Sequence, residues 1–114
     1  MRVAITSGYF DPMHRGHLEM LELSRAQGDV LWVIVNNDAQ AALKKGQAFI
    51  DQDTRLAVTR ALRVVDRAVL AIDADGSVCA TLEQLLAEAK AAGADAVFCK
   101  GGDRHAGNIP ELTV

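Results

Sequence analysis

Two histidines lie close together near the amino terminus of this chain, His14 and His17, and their spacing suits phosphate chemistry. Residues three apart face the same side of a helical turn, so both imidazoles would point to one side of a helix that begins here. Gly16 lies between them and leaves room for a bulky ligand. Two imidazoles beside a helix N-terminus form an anion site, and such a site stabilises the charge that grows on a phosphate during displacement.

The surrounding segment allows two other interpretations. Asp11, His14 and His17 are ligand types that zinc accepts, although Pro12 separates the aspartate from the histidines and no nearby Cys or Glu completes the set. Either histidine could also simply begin a helix. A lone histidine would favour that structural role, whereas the complete string Gly-Tyr-Phe-Asp-Pro-Met-His-Arg-Gly-His, which begins at Gly8, favours a ligand site.

The elements that must position these residues alternate along the chain. Short apolar runs predict four buried parallel strands, at Val3–Thr6, Val30–Val35, Ala68–Ile72 and Ala96–Cys99. Apolar residues at helical spacing predict three helices between them, at about Arg15–Gln27, Asp53–Val64 and Ala80–Ala92. The second helix is expected to bury a stripe made of Ala57, Val58, Ala61, Leu62 and Val65. This order predicts an α/β fold, a doubly wound, Rossmann-like parallel sheet in three layers.

Composition limits the class of protein. Of the 114 residues, 50% are hydrophobic and 24% are charged, with a net charge of −3, so one compact domain over residues 1–114 is expected rather than a disordered chain. The acidic balance argues against a nucleic-acid binder. The apolar stretches are too short to cross a membrane and the first residues do not resemble a signal peptide, so we expect a cytoplasmic protein with reduced Cys79 and Cys99.

Positive charge is concentrated in the middle of the chain. Between Lys44 and Arg67, six Lys and Arg residues stand against three Asp residues. A local excess of this kind suits a small anionic ligand such as a polyphosphate. A solvated helix face is the interpretation we favour for Arg60, Arg63 and Arg67. In open α/β sheets, ligands bind at the carboxyl ends of the strands, and the polar segments of this chain follow those ends.

The string that begins at Gly8 and ends at His17 resembles the signature of the HxGH nucleotidyltransferases, which are cytidylyl- and adenylyltransferases. The similarity covers essentially the whole chain. It is greatest to the glycerol-3-phosphate cytidylyltransferases and to the nucleotidyltransferase domains of ADP-heptose synthases. It implies transfer of AMP or CMP from ATP or CTP to a small phosphorylated metabolite, a sugar phosphate or a polyol phosphate, with release of pyrophosphate. It also implies a Mg²⁺ ion with the triphosphate and, as in many relatives, a homodimer.

The resemblance also assigns roles to single residues. Catalytic roles fall on His14, His17 and Lys44. The nucleotide-binding residues that it implies around the histidines are Gly8, Tyr9, Phe10, Asp11 and Gly16, with Asp11 shaping the turn. The loop after the second strand and the start of the next helix are expected to bind substrate phosphates through Asp38, Lys44, Lys45 and Arg55. A solvated loop is the alternative for the two lysines.

The fourth strand is followed by a second candidate nucleotide segment, Lys100-Gly101-Gly102-Asp103. Its glycines would expose backbone N–H groups, and Asp103 would accept hydrogen bonds from base or ribose; an ordinary turn is the alternative. The segment resembles the ADP-heptose synthase domains more than the cytidylyltransferases, which favours ATP. His105, just beyond, has no assigned role.

One part of the family pattern is missing from this sequence. Members of the family continue into a fifth strand and a Ser/Thr-rich motif that helps to bind the triphosphate, whereas this sequence stops at Val114. We therefore expect a fragment, an incomplete site or a site that a partner completes. The leading hypothesis is a nucleotidyltransferase. The alternative is a nucleotide-binding module without transferase activity, and a zinc-binding protein ranks last.

Overall fold

The computed structural model describes residues 1–99 of the chain, and within that range four parallel strands form one sheet. The strands are β1 (Arg2–Gly8), β2 (Val30–Val35), β3 (Arg67–Leu70) and β4 (Asp95–Phe98), in the spatial order β3-β2-β1-β4. In the register of the sheet, Ala4 lies opposite Leu31 on one side and Val97 on the other. The strand order reverses between β1 and β4, which is where nucleotides bind in such sheets.

Helices cover both faces of the sheet, as the doubly wound prediction requires. They are α1 (Arg15–Arg25), α2 (Asp38–Lys45), α3 (Gln52–Arg60) and α4 (Cys79–Ala91). One face of β1 packs Val3 and Ile5 against Leu82 and Leu85 of α4. The opposite face packs the cluster of Ala4, Phe10, Leu21, Leu31, Val33, Val35 and Ala68, to which α1 contributes Leu21. The predicted α/β class and the three-layer arrangement are therefore confirmed.

The segment after β2 differs from the prediction, because it is a helix and not a loop. Asn37 begins α2: its side chain accepts from the N–H of Gln40 at 2.8 Å, while the side chain of Gln40 accepts from the N–H of Asn37. This reciprocal pair is a capping box. The Asn-x-x-Gln spacing is visible in the sequence, but α2 has only eight residues, too few for a periodic apolar stripe to identify it.

The predicted apolar stripe of the second helix is wrong in part. Ala57, Val58 and Ala61 are exposed, and α3 ends at Arg60 rather than near Val64. The residues that α3 buries completely are polar, Arg55 and Thr59, and Thr59 is satisfied by donating to the carbonyl oxygen of Arg55 at 2.8 Å.

The start of α4 depends on a residue from another element. Val78 precedes the helix and has no capping side chain of its own. The carboxylate of Asp73, which follows β3, accepts from the N–H of Ala80 at 2.7 Å and from the N–H of Thr81 at 3.2 Å. The loop after β3 is therefore tied to the helix that follows it. Within residues 1–99, none of the helices is long and apolar enough to cross a membrane.

Candidate functional site

His14 and His17 lie at the start of α1, where their imidazole rings stack. The ring centroids are 3.8 Å apart, with 30° between the planes. The Nδ1 of His14 accepts a hydrogen bond from the N–H of Gly16 at 3.1 Å, and the Nδ1 of His17 accepts from the N–H of His14 at 3.2 Å. The two histidines are thus a capping box for α1, in positions that Ser or Thr and Glu or Gln occupy in most helices.

These two hydrogen bonds fix where each ring carries its proton. In a neutral imidazole, one nitrogen accepts a hydrogen bond and the other donates. Because the Nδ1 atoms of His14 and His17 both accept from backbone N–H groups, the proton of each neutral ring is on Nε2. Each ring therefore keeps an Nε2–H donor for a ligand, and a stacked pair of such donors suits the oxygens of one phosphate.

The environment of His17 favours its neutral form. Burial lowers the pKa of His17 below its ordinary value of 6.5, and the neighbouring charge of His14 lowers it further. The ring of Phe10 packs edge-on against His17, with centroids 5.2 Å apart. Since protonation of Nδ1 would remove the acceptor for the N–H of His14, the neutral form is also the one that caps the helix.

The glycines of the segment make room for protein side chains. A Cβ at position 16 would lie 2.9 Å from Cε1 of His14, so only glycine leaves space for that imidazole. A Cβ at position 8 would lie 2.6 Å from Cζ of Phe10, whose backbone has the unusual φ of 52°. The expectation that Gly16 leaves room for a bulky ligand is therefore corrected: the ring of His14 fills this space.

Asp11 connects the histidine segment to the loop between α2 and α3. Its Oδ2 accepts from the N–H of Phe49 at 2.9 Å, and its Oδ1 accepts from the N–H of Ile50 at 2.7 Å. The Asp11–Pro12 peptide bond is cis. These contacts fit the turn-shaping role expected for Asp11.

The same contacts weaken the zinc interpretation. The carboxylate of Asp11 and the Nδ1 atoms of both histidines already accept backbone N–H groups. Across residues 1–99, no three His, Cys, Asp or Glu side chains stand close enough together to hold a metal ion. The two histidines therefore present Nε2–H donors in this structure.

Lys44 reaches the histidine segment from α2. Its Nζ lies 4.6 Å from the centroid of the Tyr9 ring, and the side chain is exposed. An exposed cation–π contact contributes only about 0.5–1 kcal/mol, so the ammonium group can leave Tyr9 for a phosphate at little cost. The structure thus brings Lys44 to Tyr9, in the segment that leads into α1 and its histidines.

Arg55 is buried, and its guanidinium group holds four segments together. Its side chain donates to the carbonyl oxygens of Tyr9 (2.8 Å), Asn36 (2.6 Å) and Ile50 (2.8 Å). It also donates to Oδ1 of Asp38 at 2.7 Å, an ion pair in which the arginine side chain is fully buried. The structure therefore places Arg55 and Asp38 in a positioning role. Their predicted contacts with substrate phosphates stay predictions.

Sequence reasoning missed a network of buried amides beside this arginine. The Nδ2 of Asn36 donates to Oε1 of Gln40 at 2.9 Å. The Nε2 of Gln40 donates to the carbonyl oxygens of Asp75 and Ser77, both at 2.8 Å. This network fastens α2 to the loop after β3. The consecutive Asn36 and Asn37 at the end of a buried strand, with Gln40 after them, are the signal for it in the sequence.

Some predicted residues cannot be placed. Lys100, Gly101, Gly102, Asp103 and His105 lie outside residues 1–99, and so does any contact that they make. The structure does not describe the side chain of Lys45 either.

A family model and several known proteins match the sequence of this chain. The model of the cytidylyltransferase-like family matches residues 5–110 of this chain. The bifunctional protein HldE of Pseudomonas fluorescens is 40% identical over 103 residues, which are 89% of this chain and 20% of that protein. An FAD synthase from Methanocorpusculum labreanum is 37% identical over 75 residues, 66% of this chain and 53% of the synthase.

One solved structure resembles the chain over nearly its full length. The lipopolysaccharide core biosynthesis protein from Thermoplasma volcanium has a TM-score of 0.68 and 26% sequence identity, covering 92% of this chain and 98% of that protein. The chain spans 20% of the length of the HldE relative and about half of the FAD synthase.

Proposed function

The chain belongs to the cytidylyltransferase-like family, and from this membership we propose that it transfers AMP or CMP from a nucleoside triphosphate to a small phosphorylated acceptor and releases pyrophosphate. The observation that carries the proposal is the stacked pair of His14 and His17 with both Nδ1 atoms held by backbone N–H groups. This arrangement supplies two oriented N–H donors to a phosphate.

In the proposed reaction, a phosphate oxygen of the acceptor attacks the α-phosphorus of the triphosphate. The new P–O bond forms as the bond from the α-phosphorus to the bridging oxygen of the β-phosphate breaks, and pyrophosphate leaves with that oxygen. The Nε2–H groups of His14 and His17 donate to oxygens whose negative charge increases in the transition state. No protein nucleophile is required. Positioning of the substrates and neutralisation of their charge therefore supply most of the rate enhancement over the uncatalysed reaction.

Lys44 adds a mobile positive charge to this site. Its contact with Tyr9 holds it at the segment that leads into α1, and its flexible side chain suits a phosphate that changes position during the reaction. We propose that Lys44 leaves Tyr9 and binds a substrate phosphate when the ligands enter.

Mg²⁺ belongs to this proposal as part of the substrate. The ion keeps several waters and binds mainly to phosphate oxygens, so it would arrive with the triphosphate and neutralise part of its charge. The donor set fits this arrangement, because the histidines and Lys44 offer N–H donors to phosphate and Asp11 is engaged with backbone N–H groups.

ATP is the nucleotide that we favour, on the resemblance of the segment Lys100–Asp103 alone. Membership of a transferase-like family favours the enzyme over a module that only binds nucleotide. A homodimer stays a prediction.

A screen for pyrophosphate release tests the proposal. Purified protein is incubated with Mg²⁺, with ATP or CTP, and with a panel of phosphorylated sugars, polyols and riboflavin 5′-phosphate. Release that depends on one acceptor supports the transferase. Binding of nucleotide by calorimetry without release, for every acceptor in the panel, would instead support the binding module and contradict the proposal.

A further inference from the structure

Phe10 combines a buried ring with an unusual backbone conformation. Its side chain is only 1% exposed, and its φ of 52° is the one positive value among the non-glycine residues of the described range, 1–99. This conformation is unfavourable for a bulky residue and persists only where the surroundings enforce it, and strain of this kind is concentrated at functional sites. The contacts of the Phe10 ring therefore indicate what the conformation serves.

The backbone on both sides of Phe10 is anchored. The carbonyl oxygen of Tyr9 accepts from the guanidinium group of Arg55 at 2.8 Å. The carboxylate of Asp11 accepts from two N–H groups of the loop between α2 and α3, at 2.9 and 2.7 Å. These anchors fix the backbone from which the Phe10 ring projects.

The Phe10 ring lies between Gly8 and His17. A Cβ at position 8 would lie 2.6 Å from Cζ and 2.8 Å from Cε1 of Phe10, so the end of the ring occupies the space that a side chain would need there. The same ring packs edge-on against His17, with 5.2 Å between the centroids and 81° between the planes. It also belongs to the buried cluster that contains Leu21 and Leu31. Gly8 thus allows a core side chain to reach His17.

The contact with Phe10 restricts the orientation of the His17 ring. The 3.2 Å hydrogen bond from the N–H of His14 to Nδ1 of His17 fixes one atom of that ring. By itself this bond lets the plane of the ring turn, because the outer side-chain torsion of histidine has a broad range. The stacked ring of His14 and the perpendicular ring of Phe10 limit the rotation from two directions. The direction of Nε2–H in His17 therefore depends on both rings.

We infer that Phe10 is a positioning residue of the proposed nucleotidyl transfer: its side chain, packed against Gly8, holds the His17 ring so that Nε2–H is directed at the reacting phosphate. The inference rests on the proposed function. Because the Phe10 side chain is buried, it acts through His17 and not on a ligand. A donor stabilises a transition state most when it is already oriented, so an imidazole that is free to turn loses part of its effect.

A double-mutant cycle between Phe10→Leu and His17→Asn tests the inference through turnover. Leucine keeps an apolar side chain in the core but has no ring edge to pack against His17. With the acceptor identified by the screen, we expect Phe10→Leu to lower kcat about tenfold and to change both KM values by less than about twofold, since the donor is misaligned and not removed. In the His17→Asn background, Phe10→Leu should lower kcat no further. A wild-type kcat in Phe10→Leu, or an equal loss in both backgrounds, would overturn the inference.

Gly8→Ala is a second variant that keeps the Phe10 ring and does not depend on the folding of Phe10→Leu. Its Cβ must displace the ring, so we expect a similar loss of kcat, and no further loss when it is added to Phe10→Leu, whose side chain is shorter. An equal loss in both backgrounds would contradict the link from Gly8 through Phe10. The matched control is Ile34→Val, which trims a fully buried side chain in the cluster on the opposite face of the sheet and should keep the wild-type kcat.

NMR titration of the His17 ring needs no turnover and so distinguishes failure of this inference from failure of the proposed function. Burial lowers the pKa of His17, the charge of His14 lowers it further, and the Phe10 ring is part of what buries His17. We expect Phe10→Leu and Gly8→Ala to raise the pKa of His17 toward 6.5, and Ile34→Val to leave it unchanged. Absence of pyrophosphate release from the wild type would count against the proposed function alone. An unchanged pKa of His17 in both Phe10→Leu and Gly8→Ala would overturn the role of Phe10.

Discussion

At the scale of single residues, the main result is that the histidines have two tasks. His14 and His17 cap α1 through Nδ1 and, in the proposed reaction, bind phosphate through Nε2–H. The hydrogen bonds of the helix cap hold both rings in the orientation that the proposed phosphate contact requires. The sequence predicts the pair and its anion chemistry, but the reciprocal caps depend on ring rotation, which spacing does not determine.

Gly16 is where the two tasks can be disturbed without removing a histidine. A Cβ in Gly16→Ala would lie 2.9 Å from Cε1 of His14, so the ring must move. We expect the rate of pyrophosphate release to fall about 10²-fold, because a displacement of about 1 Å can cost that much. The free energy of unfolding should change by less than about 1 kcal/mol, since alanine is the better helix former.

The matched control for this variant is Gly76→Ala. A Cβ at position 76 would meet nothing within 4 Å, so this variant should keep wild-type activity. A wild-type rate of pyrophosphate release in Gly16→Ala would show that the reaction does not depend on the position of the His14 ring.

At the scale of elements, Arg55 is the residue that holds the loops in place. The substitution Arg55→Ala removes the guanidinium group that donates to the carbonyl oxygens of Tyr9, Asn36 and Ile50. We expect the free energy of unfolding to fall by roughly 3 kcal/mol, because a buried acceptor without a partner costs about 1–3 kcal/mol and the variant orphans the buried oxygen of Asn36 together with two partly buried ones. Urea denaturation measures the change.

Arg63→Ala is the matched control, because Arg63 is an exposed arginine that follows the same helix. It should unfold as the wild type does. Equal stability of Arg55→Ala and Arg63→Ala would remove Arg55 from its positioning role.

Elements were predictable where their apolar pattern is long or continuous. The four strands and the three longer helices lie within a few residues of their predicted bounds. The eight-residue α2 was missed because polar caps and tertiary contacts stabilise it rather than a periodic stripe. The buried face of α3 was predicted incorrectly because three of the acceptors that satisfy Arg55, the carbonyl oxygens of Tyr9 and Asn36 and the carboxylate of Asp38, come from distant parts of the chain.

At the scale of the whole molecule, the sheet topology gathers the site at one edge. Alternation of strands and helices predicted this arrangement, because the carboxyl ends of parallel strands share an edge. The loop contacts could not be predicted in the same way. The hydrogen bonds that Asp11 accepts from the N–H groups of Phe49 and Ile50 span 38 and 39 residues, and no local pattern encodes them.

The stability of the molecule should depend on pH through His17. Because the pKa of His17 in the folded protein is below the value of 6.5, the unfolded chain takes up the proton first. The contribution of His17 to the free energy of unfolding is fully present above pH 6.5. It is lost as the pH falls through the lowered pKa of the folded protein.

Urea denaturation at about pH 8 and about pH 5 measures this effect, with His17→Asn as the reference. Asn can accept from the N–H of His14 but does not titrate. We expect the wild type to lose more stability than His17→Asn between the two pH values, and equal losses would contradict the stated pKa direction.

The most direct test of the proposed role of His17 is the rate of pyrophosphate release by His17→Asn compared with the wild type, with Mg²⁺, ATP and the acceptor identified by the screen. Asn offers an oxygen near the position of Nδ1, so the cap of α1 is kept while the Nε2–H donor is lost. We expect a rate lowered by about 10²-fold or more, as for the loss of one transition-state donor, with an unfolding midpoint close to that of the wild type. A rate close to that of the wild type would contradict the claim that His17 binds the reacting phosphate.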